Sequence, residues 1–294
     1  MKQLAIYGRS FGNEYNERIQ EFFKLLEERK GKVDIYAPFA KTLKQKGIQL
    51  SEQFGSFERD SFQPKEYDVM LSIGGDGTML DTTTFVRDSK LPILGLNTGR
   101  LGFLSSINLD QMEPALEQIF KGAYMIDTRS VLKAETEDEL FGRDNFALNE
   151  LTIHKKDTQS MIVVHVYVDG KFLNTYWADG LIIATPTGST AYSLSCGGPI
   201  ILPSSSNFII TPVATHNLTV RPVLVSDQSV ITLKMEARSE NLLMSLDSRS
   251  TSIEKDCVVN VMKNDFEINL VRLKNHSFLK TLRHKLHWGY DRRN

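Results

Sequence analysis

The chain has 294 residues, 41% of them hydrophobic and 24% charged, with 35 Lys and Arg against 36 Asp and Glu and a formal net charge of −1. A chain of this size buries about three quarters of the surface its unfolded form exposes, so it needs neither disulfides nor a structural metal and is read as one large domain or two ordinary ones. The balanced charge argues against a general nucleic-acid or anionic-membrane binder and favours small-molecule partners, and no apolar run approaches the roughly 20 residues of a membrane helix.

Cys196 and Cys257 have no neighbour at metal or redox spacing. The opening MKQLAIYGRSFG offers a single Lys2 and too short an apolar run for a signal peptide, so a reducing cytoplasm is the expected location.

In chain order, Leu4 to Tyr7 reads as a short buried strand. Asn13 to Arg29 reads as an amphipathic helix with Ile19, Phe22, Phe23 and Leu26 on one face, ended by Gly31. Further strands are expected at Val33 to Tyr36, Tyr67 to Ile73 and Pro92 to Leu96, with helical text between most of them. That order predicts a parallel sheet with helices on its faces. The polar stretch from Gly47 to Pro64 is too long for an ordinary connection and reads as a mobile loop or lid.

From about Asp127 the text turns to strands: Val131 to Glu135, Ala147 to His154, Met161 to Val168, Phe172 to Ala178, Leu181 to Ala184, Val230 to Met235 and Val258 to Met262. Asp169-Gly170, between MIVVHVYV and KFLNTYWA, is a strong hairpin signal because both turn positions need positive φ. This half is expected to be largely antiparallel. HSFLKTLRHKL returns to helical spacing through Phe278, Leu279, Leu282 and Leu286 and is expected to pack back on the first domain.

Two motifs carry chemistry. In VMLSIGGDGTML a buried strand runs into Gly74, Gly75, Asp76, Gly77 and Thr78 and then into a helix. Such a turn offers backbone N–H groups to an anion, glycines let a phosphate approach, and Thr78 can cap the helix or donate to an oxyanion. Asp76 repels phosphate, so it must accept a hydroxyl proton or act through a divalent cation. The bland alternative is a tight turn with Asp76 as a cap. Neither G-x-G-x-x-G nor the P-loop pattern is present, so an ordinary nicotinamide dehydrogenase and a P-loop kinase are both unsupported.

The second motif, DGLIIATPTGSTAYSLSCGGPI from Asp179 to Ile200, joins a buried strand to a hydroxyl-dense run of Thr185, Thr187, Ser189, Thr190, Tyr192, Ser193 and Ser195. These groups offer neutral donors and acceptors to sugar hydroxyls and phosphate oxygens, although a Ser/Thr/Gly cluster alone is more often a solvated loop.

In the order Gly-Gly-Asp-Gly-Thr, NTGRLGFL (Asn97 to Leu104), Asn149-Glu150 and DGLIIATPTGSTAYSLSCGGPI, the chain resembles the NAD kinase family. The likeness runs from Leu71 to about Pro203, with weaker agreement at Thr215-His216 and at Leu286-His287-Trp288-Gly289. It implies a cytosolic kinase that moves the terminal phosphate of ATP, with a divalent metal such as Mg, to the 2′-hydroxyl of the adenosine ribose of NAD, giving NADP. It also implies a homodimer or homotetramer, without nucleic-acid or membrane partners.

By that resemblance Asp76 is the catalytic carboxylate, and Asn149 and Glu150 hold the adenosine part. Asp179 lies near the nicotinamide end, Thr190, Ala191, Tyr192 and Ser195 line the dinucleotide pocket, and Gly74, Gly75, Gly77, Thr78, Thr187 and Asp247 join the binding set. No residue is assigned as a metal ligand. Asp247-Ser248-Arg249 departs from the Asp-Gly-Gln common in the family, which suggests lost backbone freedom, and Trp177 bears on cofactor choice.

The remaining candidates read as structural. His284-x-x-His287 lacks a carboxylate partner, His165 alternates with valines, and Arg283, Lys285, Arg292 and Arg293 make a basic tail. His216 is either a ligand contact or a hydrogen-bonded structural residue. A lipid or sphingoid kinase sharing the glycine turn, and a non-catalytic NAD(P) sensor, are the competing readings. The expected architecture is a Rossmann-like α/β domain over residues 1–125, an all-β, sandwich-like domain over 126–270, and a returning C-terminal segment over 271–294, with the site in the cleft between the domains.

Overall fold

A computed structural model describes residues 2–99, 102–105, 107–156, 161–237, 241–274 and 276–288. Arg100 and Leu101 of the NTGRLGFL motif, Gly289 and the tail residues Arg292 and Arg293 lie outside the described residues. The chain divides into two compact units, Met1–Thr128 with Ile268–Asn294, and Arg129–Glu267.

The first unit opens with β1 (Gln3–Gly8), α1 (Asn16–Glu28), β2 (Lys32–Tyr36), α2 (Ala37–Gln45), β3 (Gly55–Phe57), β4 (Val69–Gly74), α3 (Asp76–Val86), β5 (Ile93–Asn97), β6 (Ile107–Asn108) and α4 (Met112–Lys121). The sheet order β5-β4-β1-β2-β3 is parallel throughout. Its strands are apolar on both faces, as a sheet covered by helices requires. Leu4, Ile6, Leu71 and Leu96 pack with Ile19, Phe22, Phe23 and Leu26 of α1 and with Leu116 and Ile119 of α4.

Two local expectations are corrected here. The helix α1 ends at Glu28, and the residue in the left-handed region is Lys30, at φ +51, not Gly31. Gly31 answers to space: a Cβ there would lie 3.0 Å from the Phe120 ring and 3.3 Å from the Lys2 carbonyl oxygen. The stretch from Gly47 to Pro64, read as a mobile loop or lid, contributes the edge strand β3, which pairs with β2 through Asp34↔Gly55 to Tyr36↔Phe57. Phe57 is buried there among Phe62, Tyr36, Tyr67 and Phe85, with ring centroids at 4.6, 5.8, 6.3 and 6.2 Å. Aromatic residues spread over a polar background show no period, so burial of this kind leaves no trace in a one-dimensional pattern.

Chain passage into the second unit lies within β7 (Tyr124–Glu135), followed by β8 (Phe146–Ala147), β9 (Glu150–Lys155), β10 (Ile162–Val168), β11 (Lys171–Ala178), β12 (Gly180–Ala184) and α5 (Tyr192–Ser195). Then come β13 (Asn207–Val213), β14 (Val223–Ser226), β15 (Ile231–Glu236), β16 (Asn241–Leu246), β17 (Arg249–Glu254) and β18 (Val258–Leu273). One antiparallel sheet runs β14-β13-β12-β9-β16-β17, and β11-β10-β15-β18 form the other. Their inner faces share one core, in which Val164, Val166, Leu233 and Val259 pack with Leu151, Ile153, Leu181, Phe208 and Met244. Alternation along β10 turns Ile162, Val164 and Val166 inward and leaves His165 bonded to Thr175 and Glu236, a sheet position.

Asp169 and Gly170 take φ of +50 and +74, the two positive values a tight hairpin turn needs. The strands β13, β14, β16 and β17 were not anticipated. Pro212 interrupts the text of β13, yet β14 pairs only as far as Ile210↔Val223, so its missing N–H costs no ladder bond on that side.

The helix α6 (Phe278–Leu286) belongs to the first unit. Leu282 is buried and the Phe278 ring lies against Phe103, but Leu279, expected on the apolar face, is 53% exposed. Among the described residues no helix is long and apolar enough to cross a membrane.

Because Phe57 joins β3 to an aromatic core, Phe57→Ala should cost about 3 kcal/mol in urea unfolding. It should also open the 47–64 segment to limited proteolysis, to which the native chain should resist.

Candidate functional site

The glycine turn of the first unit closes β4 and starts α3. Gly74 sits at φ +155, where a Cβ would overlap the Thr78 hydroxyl, so this glycine is required by the backbone itself. Gly75 and Gly77 are different: both are exposed, and a Cβ on either would meet nothing within 4 Å. Their smallness leaves open space beside the first turn of an 11-residue helix, whose leading N–H groups precede the first internal bond, Met79 N–H to the Gly75 carbonyl.

Asp76 does not cap that helix; Gly75 holds the cap position and no side chain bonds there. Instead the carboxylate accepts three consecutive backbone N–H groups. Phe103 donates to Oδ2 at 2.8 Å, and Leu104 and Ser105 donate to Oδ1 at 3.1 and 2.8 Å. A Cβ on Gly102 would overlap the same carboxylate, which explains the glycine of the Gly-Phe-Leu text. Asn97 completes this loop, accepting the Gly99 N–H at 2.6 Å and donating to the Ser105 carbonyl at 3.2 Å. The two motifs of the first unit are therefore one hydrogen-bonded object.

In the second unit strand register gathers residues that are far apart in sequence. The antiparallel pairing of β9 with β12 sets Glu150 opposite Ala184 and His154 opposite Gly180. The pairing of β9 with β16 ends at Leu246↔Leu151, which delivers Asp247 to the start of β9. Asp247 repeats the arrangement seen at Asp76. Its Oδ2 accepts the Leu148 N–H at 2.8 Å and its Oδ1 accepts those of Asn149 and Glu150 at 2.8 and 3.1 Å. With its side chain 1% exposed, Asp247 supports the Asn149-Glu150 segment through these bonds. The turn after it also needs no glycine. Asp247 takes φ +53 and Ser248 is not among the positive-φ residues, so Asp247-Ser248-Arg249 loses no freedom it uses.

The pair that Asp247 supports carries two enclosed acceptors, Asn149 Oδ1 and Glu150 Oε2, with no hydrogen-bond partner among the described residues. An acceptor enclosed without a donor costs stability unless a ligand supplies one. Burial, helped by the nearby Asp247 charge, pushes the Glu150 carboxyl up to about 8, against the Tyr192 N–H that favours the carboxylate.

The hydroxyl-dense run is largely turned inward, which corrects the expectation that it displays many groups to a ligand. The Thr185 hydroxyl bonds the Leu148 carbonyl, that of Ser189 the Pro186 carbonyl, and those of Ser193 and Thr211 each other; Thr187 accepts from Arg129 at 3.2 Å. Thr190 donates back to the Thr187 carbonyl at 3.2 Å, within a short 3-10 turn. Gly188 lets this turn touch the Asn149 backbone, where a Cβ would overlap the carbonyl. What remains at the surface is half-buried Ala191 with exposed Tyr192 and Ser195.

Two residues overlooked in the sequence join them. His154 stacks on Tyr192 at 5.7 Å between ring centroids and 20° between planes, its ionisation held below the usual histidine range by burial. Lys155 pairs with Asp179 at 2.6 Å. No spacing in the text joins residue 154 to 192 or 155 to 179; only the register does. Trp177 is 51% exposed on β11, at the end of its sheet, and its carbonyl accepts the N–H of His216, whose side chain is exposed. Burial raises the Cys196 thiol, which disfavours a reactive thiolate. No group of three or more His, Cys, Asp or Glu suited to a metal occurs among the described residues.

The Glu150 shift makes a stability prediction. A folded-state value above the unfolded one means that the unfolded chain ionises first, so stability is lost as pH rises from about 4.5 towards about 8. The pH dependence of urea midpoints should therefore be steeper in the native chain than in Glu150→Gln, by a slope approaching about 1.4 kcal/mol per pH unit.

Comparison with known proteins identifies the family. The family described as ATP-NAD kinase N-terminal domain matches residues 6–124, and the ATP-NAD kinase C-terminal domain matches 148–273. An NAD kinase of Cytophaga hutchinsonii is 45% identical over 291 residues, covering 99% of both chains. One from Flavobacterium psychrophilum is 43% identical, covering 99% of this chain and all of its own. Among solved structures, an NAD kinase from Archaeoglobus fulgidus in complex with ATP superposes with a TM-score of 0.73 at 26% identity, over 97% of this chain and 98% of its own. Yeast NADH kinase complexed with NADH shares the fold, with a TM-score of 0.84 at 21% identity over 99% and 89% of the two chains. With both family domains matched and the likeness running the full length of its relatives, the chain belongs to the NAD kinase family.

Proposed function

We propose that this chain transfers the terminal phosphate of ATP to the 2′-hydroxyl of the adenosine ribose of NAD, forming NADP and ADP. The observation that carries the reading is the glycine turn: in a member of this family, open space at Gly75 and Gly77 adjoins a carboxylate fixed by three backbone N–H groups. The lipid-kinase and sensor alternatives gain no support from the relatives.

In the reaction the ribose 2′ oxygen forms a bond to the terminal phosphorus, the bond from that phosphorus to the bridging oxygen breaks, and ADP leaves with the electron pair. The proton of the hydroxyl passes to Asp76 and then to water. Oδ2 is the oxygen suited to receive it, since it accepts one N–H where Oδ1 accepts two. Phosphoryl transfer goes through a loose transition state, so the protein acts mainly by positioning and by stabilising oxygen charge. The Gly75 and Gly77 amides at the start of α3 are suited to phosphate oxygens. The divalent cation, Mg by expectation, enters with ATP as part of the substrate, carried by phosphate oxygens as is usual for this ion.

In the second unit the unpartnered oxygens of Asn149 and Glu150 hydrogen-bond the adenosine part, with Ala191, Tyr192 and Ser195 beside them. Asp179, held by Lys155, serves the nicotinamide end. The family likeness supports a cytoplasmic homodimer or homotetramer.

A coupled assay of NADP formation from NAD and Mg·ATP tests the activity. Asp76→Asn should lower kcat by roughly 10²- to 10⁴-fold, the range of general-base catalysis. A variant within threefold of the native chain would remove Asp76 from the chemistry. NAD(P) binding without turnover by the native chain would instead make it a sensor.

A further inference from the structure

Phe103 has two attachments, and both concern the proposed catalytic carboxylate. Its backbone N–H is the donor that holds Asp76 Oδ2, at 2.8 Å. Its ring is half-buried against α6, with Phe278 at 6.4 Å between centroids and the Lys285 ammonium 5.0 Å from the ring centre. The backbone on either side of Phe103 is bonded in place. Gly102 N–H bonds the Ser105 carbonyl at 3.2 Å, Asn97 bonds the same carbonyl, and a Cβ on Gly102 would overlap Asp76. Removing the contact that holds the Phe103 ring frees the residue whose own amide orients the carboxylate.

We propose that Phe278 is a positioning residue for Asp76, acting through Phe103, so that the C-terminal helix sets the orientation of the catalytic oxygen without touching substrate. Its catalytic consequence rests on the kinase reading above; its structural consequence does not. The helix is suited to the task. It is independently fixed by the buried Leu282 and by Ser277, whose hydroxyl accepts the Lys280 N–H at 3.3 Å. Its first residue, Phe278, can then act as a stop for the loop. Lys285 adds a cation over the aromatic face, an attraction that is larger where water is partly excluded.

The test joins two readouts on the full chain. Hydrogen exchange at the amides of Phe103, Leu104 and Ser105 should speed up about tenfold in Phe278→Ala, while the amides of β4 keep their protection. In the same variant kcat for NADP formation should fall about tenfold, with KM for NAD within about twofold, because misplacing a reacting group costs rate more than affinity. Phe278→Tyr should restore both, and Lys285→Met, which leaves the ring contact, should give a smaller change in the same direction. Unchanged exchange at the three amides would overturn the proposal even if activity fell. So would a loss of protection spread equally over β4, which would make Phe278 a general stabiliser. The exchange readout needs no turnover, so a native chain that formed no NADP would defeat the kinase reading while the role of Phe278 was still decided by its amides.

Discussion

A buried or half-buried carboxylate that accepts three consecutive backbone N–H groups is the interaction on which both halves of this molecule depend. Asp76 grips residues 103–105 and Asp247 grips residues 148–150. A carboxylate accepts and never donates, so three N–H groups facing one way suit it without competition. The charge-assisted bonds formed are about twice as strong as neutral ones. Each clamp turns a segment that would otherwise be loop into a rigid mount. One carries the proposed catalytic group itself, the other the pair Asn149-Glu150.

The two clamps differ in what they leave over. Asp76 is half-buried beside glycines that occupy no space, so its less-engaged oxygen can meet a hydroxyl. Asp247 is enclosed and spends its oxygens on the protein, and its charge adds to burial in raising the neighbouring Glu150 carboxyl. Two carboxylates close together cannot both ionise cheaply. That arrangement, with two oxygens unpartnered beside it, costs stability.

The hydroxyl-rich turn shows how a suggestive composition divides when folded. Thr185, Ser189 and Ser193 are fully buried and bonded internally, and they hold the turn against Leu148 and Thr211. Ser and Thr bond readily to nearby carbonyls, so much of such a cluster serves the backbone. Only its outer members face outward, and His154 fixes the ring of one of them from the neighbouring strand.

By itself the sequence determined the parallel first half, the antiparallel second half, the Asp169-Gly170 turn and the glycine turn at Asp76, because each is written in local periodicity or in a φ requirement that few residues meet. The order of its motifs also determined the family. Tertiary structure alone decided that 47–64 is anchored by Phe57, that Lys30 takes the left-handed position, and that Asp247 is a support. It alone joined Lys155 to Asp179, His154 to Tyr192 and Phe278 to Phe103. Those pairings depend on strand register and on the three-dimensional return of α6. A linear pattern records which face a residue prefers, but not which distant residue waits there.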